Sequence, residues 1–216
     1  VNSVMVALIT AFVGTLIAYG GALVTARRTV SGKLKKVIDS IALVTNTIPG
    51  MVIGLAYLFV FTGTPLQNTF PIIIICNIVH YFSTPYLMMK NSLSMMNASW
   101  ETTAMLMGDS WAKTIARVVT PNALSTPLEV FSYYFVNAMV TVSAVIFIAG
   151  ARTMVITTKI QELQYFNEFN EIFVLSLLIL FTNLIARAVF RRLARVSESR
   201  QSRAKVYKFS VKKKAA

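Results

Sequence analysis

Five long apolar blocks, separated by shorter polar or charged gaps, constrain the fold of this 216-residue chain more than any other feature. The blocks cover residues 4–25, 37–61, 71–89, 129–149 and 171–190. The first block contains no charged residue and is long enough to cross about 30 Å of hydrocarbon. Only 13% of the residues are charged, against about 25% in an average soluble domain, which disfavours a soluble helical protein. We therefore expect an all-α membrane protein with five transmembrane helices.

The 21 basic residues gather in alternate gaps between the blocks. Nineteen lie in residues 26–36, in residues 90–128 or from Arg187 onward, whereas residues 150–170 hold two and residues 62–70 none. The positive-inside rule places the first set in the cytoplasm, so the N-terminus of this segment is expected outside and the C-terminus in the cytoplasm. Although the formal charge is +13, basic residues at span ends indicate contact with anionic lipid in the bilayer rather than with nucleic acid.

The expected domain organisation is a transmembrane domain over residues 1–192, followed by a basic cytoplasmic tail, 193–216, that is partly disordered. The first apolar block follows Val1 directly, with no basic region before it. It therefore does not resemble a signal peptide, and we expect the segment to begin partway through a longer chain. The lone cysteine, Cys76, cannot form an internal disulfide.

Polar residues inside the apolar blocks are the candidates for a solute pathway, because such side chains are costly when they face lipid. They are Asn46, Pro49, Asn77, His80, Asn137, Thr141 and Ser143. Pro49 should kink its helix and expose a carbonyl that needs a protein or water partner. The other reading is hydrogen bonding between helices, typically worth about 1 kcal/mol. His80 can either attract an anion as an imidazolium or pack as a neutral ring.

The polar stretch 90–128 is predicted to form two short amphipathic helices joined at a sharp corner. Ser99 can cap the first helix, and Glu101 near its N-terminus is favoured by the helix dipole. Gly108 suits a helix end that needs a left-handed residue.

The second short helix of this stretch follows Asp109 or Ser110, either of which can cap it. Its apolar face is supplied by Ile115, Val118 and Val119, and Pro121 is expected to end it. Short helices of this kind can also lie in a membrane interface without a further role.

The same stretch resembles the EAA loop of binding-protein-dependent ABC importer permeases. The pattern of that family is Glu-Ala-Ala, three residues, Gly, nine residues and Ile-x-Leu-Pro. Matching positions are held by Ala104, Gly108, Val118 and Pro121, while Thr102 and Thr103 occupy the Glu and first Ala positions. Glu101 lies one residue early, and either replaces the acidic residue of the motif or acts only as a helix-start charge.

The resemblance extends from Asn2 to about Arg192, with three spans before the loop and two after it. The TIPGMVIGLAYLF segment looks like the iron and phosphonate branches of the family, and residues 135–148 look most like 2-aminoethylphosphonate permeases. The implied solute is thus a phosphonate such as 2-aminoethylphosphonate. Iron(III), another inorganic anion or a polyamine is the alternative.

The resemblance implies the five-helix core of the type I ABC importer permease fold, in a bacterial cytoplasmic (inner) membrane. The implied partners are ABC ATPase subunits, a second permease half (a homodimer, a heterodimer or a fused half) and an extracytoplasmic solute-binding protein. The helix from Glu101 to Gly108 would sit in a groove of the ATPase. ATP and Mg would be bound by that ATPase, and no cofactor, metal or catalytic residue is expected in this chain.

Other classes of membrane protein fit the sequence less well. An enzyme would need converging reactive groups, and the sequence shows neither these nor a Walker-type phosphate loop. A secondary transporter calls for inverted repeats and more intramembrane charge. A non-transport scaffold remains the remote alternative, although it has no need of an EAA-like cytoplasmic loop.

Overall fold

The computed structural model describes the backbone of residues 1–27 and 30–214, with side chains up to Ser197. Most side chains of the basic tail, 193–216, lie outside the described part, and the partial disorder of this tail stays a prediction. Most of the described residues are helical, and they include no β-strand. The α-helices are α1 (Asn2–Arg27), α2 (Gly32–Val44), α3 (Gly50–Phe61), α4 (Phe70–His80), α5 (Ser83–Ser94), α6 (Ser99–Leu106), α7 (Trp111–Thr114), α8 (Thr120–Ala123), α9 (Ser125–Val140), α10 (Ile156–Tyr165) and α11 (Phe169–Lys214).

Within the described part of the chain, two helices are long and apolar enough to cross a membrane by themselves: α1 and the Phe169–Ser197 part of α11. They coincide with the first and fifth predicted spans. Two further pairs qualify if each bent pair counts as one span, with α2 and α3 bent by 105° and α4 and α5 by 56°. The second and third predicted spans are therefore broken helices, and in the fourth the α-helix ends at Val140 and only a short 3-10 turn, Val145–Phe147, follows.

The chain breaks its helices where a backbone hydrogen bond cannot form or is replaced. Ile48 and Pro49 are extended between α2 and α3, because proline cannot continue the helical bonding. Pro85 in the first turn of α5 has no amide hydrogen for the carbonyl of Tyr81, where α4 ends. At the end of α9 the Thr141 hydroxyl, 2.6 Å away, donates to the Asn137 carbonyl in place of a backbone amide.

Helix α1 lies at the centre of the bundle and packs against α4, α5 and α9. Its packed face carries small buried residues, Ala7, Ala11, Ala18 and Ala22, which let the neighbouring helices approach closely. At Gly14 the approach is so close that an added Cβ would lie 2.8 Å from the buried Tyr134 ring on α9.

The polar gaps sort to two opposite ends of the bundle, as the charge pattern predicts. At the basic end, Arg27 contacts the chain between Leu93 and Glu101. At the other end, the Thr153 hydroxyl donates to the Asn68 carbonyl across 3.3 Å. There too, the Ile156 amide at the start of α10 donates to the Ser3 hydroxyl across 2.7 Å. The first and third gaps therefore share one end of the bundle, and the second and fourth share the other.

Candidate functional site

Helix α6 ends in a left-handed turn at Gly108, as the sequence predicts. Gly108 has φ +78°. Its amide donates to Met105 across 3.0 Å, and the Asp109 amide donates to Ala104 across 2.9 Å. These two bonds form a Schellman motif, which satisfies carbonyls that the helix end would otherwise leave unbonded. Because nothing lies within 4 Å of a Cβ at Gly108, the backbone conformation alone accounts for glycine here.

Of the two capping residues predicted for the short helices, one is confirmed and one is wrong. Ser110 caps the second helix, since its hydroxyl accepts from the Lys113 amide. The prediction for Ser99 is wrong. The Asn97 side chain accepts from the Ser99 amide across 2.9 Å, because asparagine two residues earlier already offers the amide an oxygen.

Pro121 does not end the second short helix, contrary to the prediction. The chain passes from α7 through a π-helical turn, Ile115–Val119, into α8, which contains Pro121 near its start. The wider π turn shifts the carbonyls out of the register in which the proline ring would meet them. In addition, the Asn122 side chain donates to the Val118 carbonyl one turn before it, across 2.7 Å. Val118 and Pro121 therefore lie in one helical run that leads towards α9.

Glu101 forms an ion pair with Arg27 at the end of α1. Arg27 Nε lies 2.6 Å from Glu101 Oε1, and Nη2 lies 2.6 Å from Oε2. The guanidinium also donates to the carbonyls of Leu93, Met96 and Asn97. The Arg27 side chain is only 3% exposed and that of Glu101 17%. The Arg27–Glu101 pair therefore ties the first turn of α6 to α1, a role that goes beyond a helix-start charge.

The remaining residues of α6 leave an apolar surface open. Thr102 and Thr103 are exposed, and Ala104 is half-buried. At the C-terminal end, Met105, Leu106 and Met107 are 71%, 83% and 78% exposed. A cavity of about 350 Å³ separates α6 from α7 and is lined by residues that include Glu101, Thr102 and Trp111. The basic end thus carries a short helix that is anchored on one side and open on the other.

A second, half-buried polar cluster at the basic end joins α1, α2 and α5. Asp39 accepts from the Tyr86 hydroxyl and from Lys90 Nζ, both at 2.6 Å, and Tyr86 contacts Thr25 across 2.9 Å. Neither this cluster nor the ion pair of Arg27 is predicted from the sequence, in which Arg27 contributes only to the topology. Asp39 is the one acidic residue inside the predicted span 37–61, a signal that could have found it.

Three of the candidate pathway residues lie together where the second and fourth spans break: Pro49, His80 and Ser143. A Cβ on Gly50, next to Pro49, would lie 3.2 Å from His80 Nε2 and would collide with the Ser143 hydroxyl. One turn later a Cβ on Gly54 would collide with the Ala144 carbonyl. Glycine is required at both positions because the first turns of α3 and the segment that follows α9 approach so closely. Pro49 and Ser143 are exposed, and His80 is half-buried.

Two other candidate residues form hydrogen bonds inside the bundle. The side-chain amide of Asn137 donates to the Tyr133 carbonyl of its own helix across 2.7 Å. The Thr141 hydroxyl lies 2.9 Å from the Tyr81 hydroxyl, and the Thr157 hydroxyl donates to the Thr141 carbonyl across 2.7 Å. The Thr141 contacts join the end of α9 to the end of α4 and to α10.

Asn46 and Asn77 lie apart from these contacts. Asn46 is exposed beside the break of the second span. Asn77 is 1% exposed, and neither polar atom of its side chain has a hydrogen-bond partner in the described part of the chain. The described part of the chain contains no group of three His, Cys, Asp or Glu side chains that could hold a metal ion.

The family described as binding-protein-dependent transport system inner membrane component matches residues 14–201. FbpB 1 of Haemophilus influenzae, named as a ferric transport system permease protein, is 32% identical over 150 residues, 68% of this chain and 23% of that protein. FbpB of Actinobacillus pleuropneumoniae, with the same kind of name, is 30% identical over 70% of this chain and 22% of its own length. The chain therefore spans under a quarter of these curated relatives.

Solved ABC transporters share the fold at low sequence identity. A chain of the MetNI methionine ABC transporter superposes with TM-score 0.72 at 14% identity, covering 91% of this chain and 93% of that one. A chain of a bacterial alginate ABC transporter gives TM-score 0.64 at 15% identity, covering 89% and 78%. The fold is thus the type I importer permease fold expected from the sequence. This chain belongs to the binding-protein-dependent transport system inner membrane components, the permease subunits of ABC importers.

Proposed function

We propose that this chain forms one wall of an ATP-driven import pathway for iron(III) across a bacterial cytoplasmic membrane. Both relatives carry names that refer to ferric transport, which favours the iron alternative over the phosphonate expected from the sequence. The observation that carries the pathway is the meeting of two broken spans at Gly50 and Ser143 beside His80.

The pathway proposal rests on the cost of unpaired backbone in a membrane. Irregular backbone within the hydrocarbon is tolerated only where it is buried in protein or lines a water-filled cavity. The extended residues Ile48 and Pro49 and the non-helical segment after Val140 break the two spans beside each other. Because Asn46, Pro49 and Ser143 are exposed in the single chain, they would face a cavity shared with a second permease half.

For coupling, we propose that α6 docks on an ABC ATPase and transmits its closure to the spans. The exposed end of α6, Met105 to Met107, offers the apolar surface for docking. The Arg27–Glu101 pair fastens the other end to α1, so a push on α6 would reach the central helix of the bundle. Thr102, Thr103 and Ala104 lie on the connecting turns, and Gly108 makes the corner.

The remaining partners follow from the same proposal. Solute would be delivered from outside by an extracytoplasmic binding protein, and ATP and Mg would be held by the ATPase. Because the chain covers 23% of its FbpB 1 relative, that protein has room for a second bundle of this size. We propose that a fused or separate second half closes the pathway.

Uptake into proteoliposomes tests the proposal. The complete permease is reconstituted with its ATPase and binding protein, and ATP-dependent accumulation of radioactive iron(III) and of 2-aminoethylphosphonate is measured in parallel. We expect iron uptake, and we expect Ser143→Leu to reduce it at least tenfold without loss of ATPase binding. The matched control is Ile146→Leu, an exposed apolar position in the same segment, which should leave uptake unchanged.

Two outcomes of this experiment would contradict parts of the proposal separately. Uptake of 2-aminoethylphosphonate without iron uptake would overturn the solute but retain the importer. Full iron uptake by the Ser143→Leu variant would remove the broken-span site from the pathway.

A further inference from the structure

A cavity of about 270 Å³ at the basic end is lined by charged groups that the coupling and pathway sites do not use. Its charged lining consists of Glu129 on α9 and of Arg187 and Arg191 on α11. Among the described residues none of these three side chains has a hydrogen-bond or ion-pair partner in the chain. The cavity therefore holds one carboxylate and two guanidiniums, all on exposed residues, around an open space without a direct ion pair between them.

The cavity lies at the level where the membrane hydrocarbon ends. Between Glu171 and Arg187 the helix α11 has no charged residue, and those sixteen positions rise about 24 Å. Arg187 is thus placed near the inner edge of an about 30 Å hydrocarbon layer, and Arg191 lies one turn further out on the same face. Glu129 lies in the second turn of α9, before that helix becomes uncharged. Charges at this depth need a counter-charge more than charges in water do.

The surface around the cavity is suited to lipid. Between Glu171 and Arg187, Ile179 is the one residue of α11 that is buried within the described chain, and Leu184 and Val189 beside the arginines are about half exposed, at 54% and 47%. Phe190 holds α11 to α9 through a ring contact of 4.9 Å with Phe131. An acyl chain could therefore lie along α11 while its headgroup enters the cavity.

We propose that this cavity binds the headgroup of phosphatidylethanolamine. The phosphate would accept from Arg187 and Arg191, since guanidinium groups form strong charge-assisted bonds with phosphate. The ethanolamine ammonium would donate to Glu129. Ser132 and Tyr133, which also line the cavity, add hydroxyl groups for the phosphodiester oxygens. A carboxylate beside two arginines distinguishes this zwitterionic headgroup from anionic ones, because phosphatidylglycerol has no cation to pair with Glu129.

Native mass spectrometry of the delipidated, assembled importer, titrated with phosphatidylethanolamine or phosphatidylglycerol, tests this site. We expect the first lipid to bind about tenfold tighter, and Glu129→Gln to abolish that preference, since one charge-assisted bond is worth on the order of tenfold. The double change Arg187→Gln and Arg191→Gln should weaken binding of both lipids on the order of 100-fold. The double change Arg187→Lys and Arg191→Lys should restore part of the lost lipid binding, which separates an effect on binding from one on folding.

Arg192→Gln serves as the control, because Arg192 is an exposed arginine of the same helix outside the cavity lining. Equal losses in this control, or no preference between the two lipids, would overturn the proposal. Displacement of the lipid by millimolar phosphoethanolamine would also overturn it, because a free phosphate compound would then suffice. A cross-link from position 129 to a protein partner in the assembled importer would show that a protein fills the cavity instead.

Discussion

Removing the charge of Glu101 should loosen α6 from the bundle while leaving the rest of the fold in place. In Glu101→Gln the shape of the side chain is kept, but Arg27, 3% exposed, loses its counter-charge. Removing one partner of a fully buried ion pair costs about 3–5 kcal/mol. Because the Glu101 side chain is 17% exposed and the Arg27 guanidinium keeps three carbonyl acceptors, we expect about 2–3 kcal/mol.

Hydrogen exchange measured by mass spectrometry gives this free energy locally. The cost should appear as local opening of α6, so that peptides covering Ser99–Leu106 exchange roughly 30- to 150-fold faster. The matched control is Lys113→Gln, which removes the exposed pair between Lys113 and Asp109. Such surface pairs contribute at most about 1 kcal/mol, so that variant should change the exchange less than about fivefold.

A double-mutant cycle shows whether the two residues act as a pair. The combined variant Arg27→Gln and Glu101→Gln should cost clearly less than the sum of the single changes, because neither charge is then left alone. Exchange of α6 within threefold of the wild type in Glu101→Gln would refute the reasoning. So would strict additivity in the cycle.

Three further predictions concern glycine and asparagine positions. Gly108→Ala and Gly63→Ala should each lower stability by about 1–2 kcal/mol, since both glycines have left-handed φ, +78° and +77°, and open space around them. Only Gly108→Ala should lower the amount of solute transported per ATP hydrolysed. Equal coupling in the two variants would contradict a role for the α6 corner. Gly50→Ala should reduce uptake at least tenfold through its collision with Ser143, and Ser143→Ala should partly restore it. As a control, Gly20→Ala should transport normally, because a Cβ there meets nothing within 4 Å. Failure of the rescue would count against this contact. Asn77→Leu should leave uptake unchanged and keep or raise the melting temperature in a thermal-shift assay. The reason is that a buried amide without hydrogen-bond partners destabilises the wild-type fold by about 1–3 kcal/mol, and the substitution removes that amide. A loss of uptake would show that Asn77 faces the pathway.

The amino-acid sequence by itself determined the membrane class, the sorting of the gaps and the corner at Gly108. Each follows from a local property: the length of an apolar block, the charge of a gap, or the conformation that one residue tolerates. The first and last spans were predicted within a few residues because unbroken apolar runs that long have one stable form in lipid. The broken second and third spans were harder to predict, since the pattern of apolar residues continues across each bend.

Only the tertiary structure decided which distant residues meet. Arg27 and Glu101 are 74 positions apart, and no local pattern shows that a charge counted towards topology reaches that carboxylate. Gly50, His80 and Ser143 come together only because two helices end at the same depth, and the cavity of Glu129 and Arg187 needs α9 and α11 side by side. The physical reason is that apolarity and backbone preference act along the chain, whereas ion pairs and close backbone contacts depend on which helices pack together.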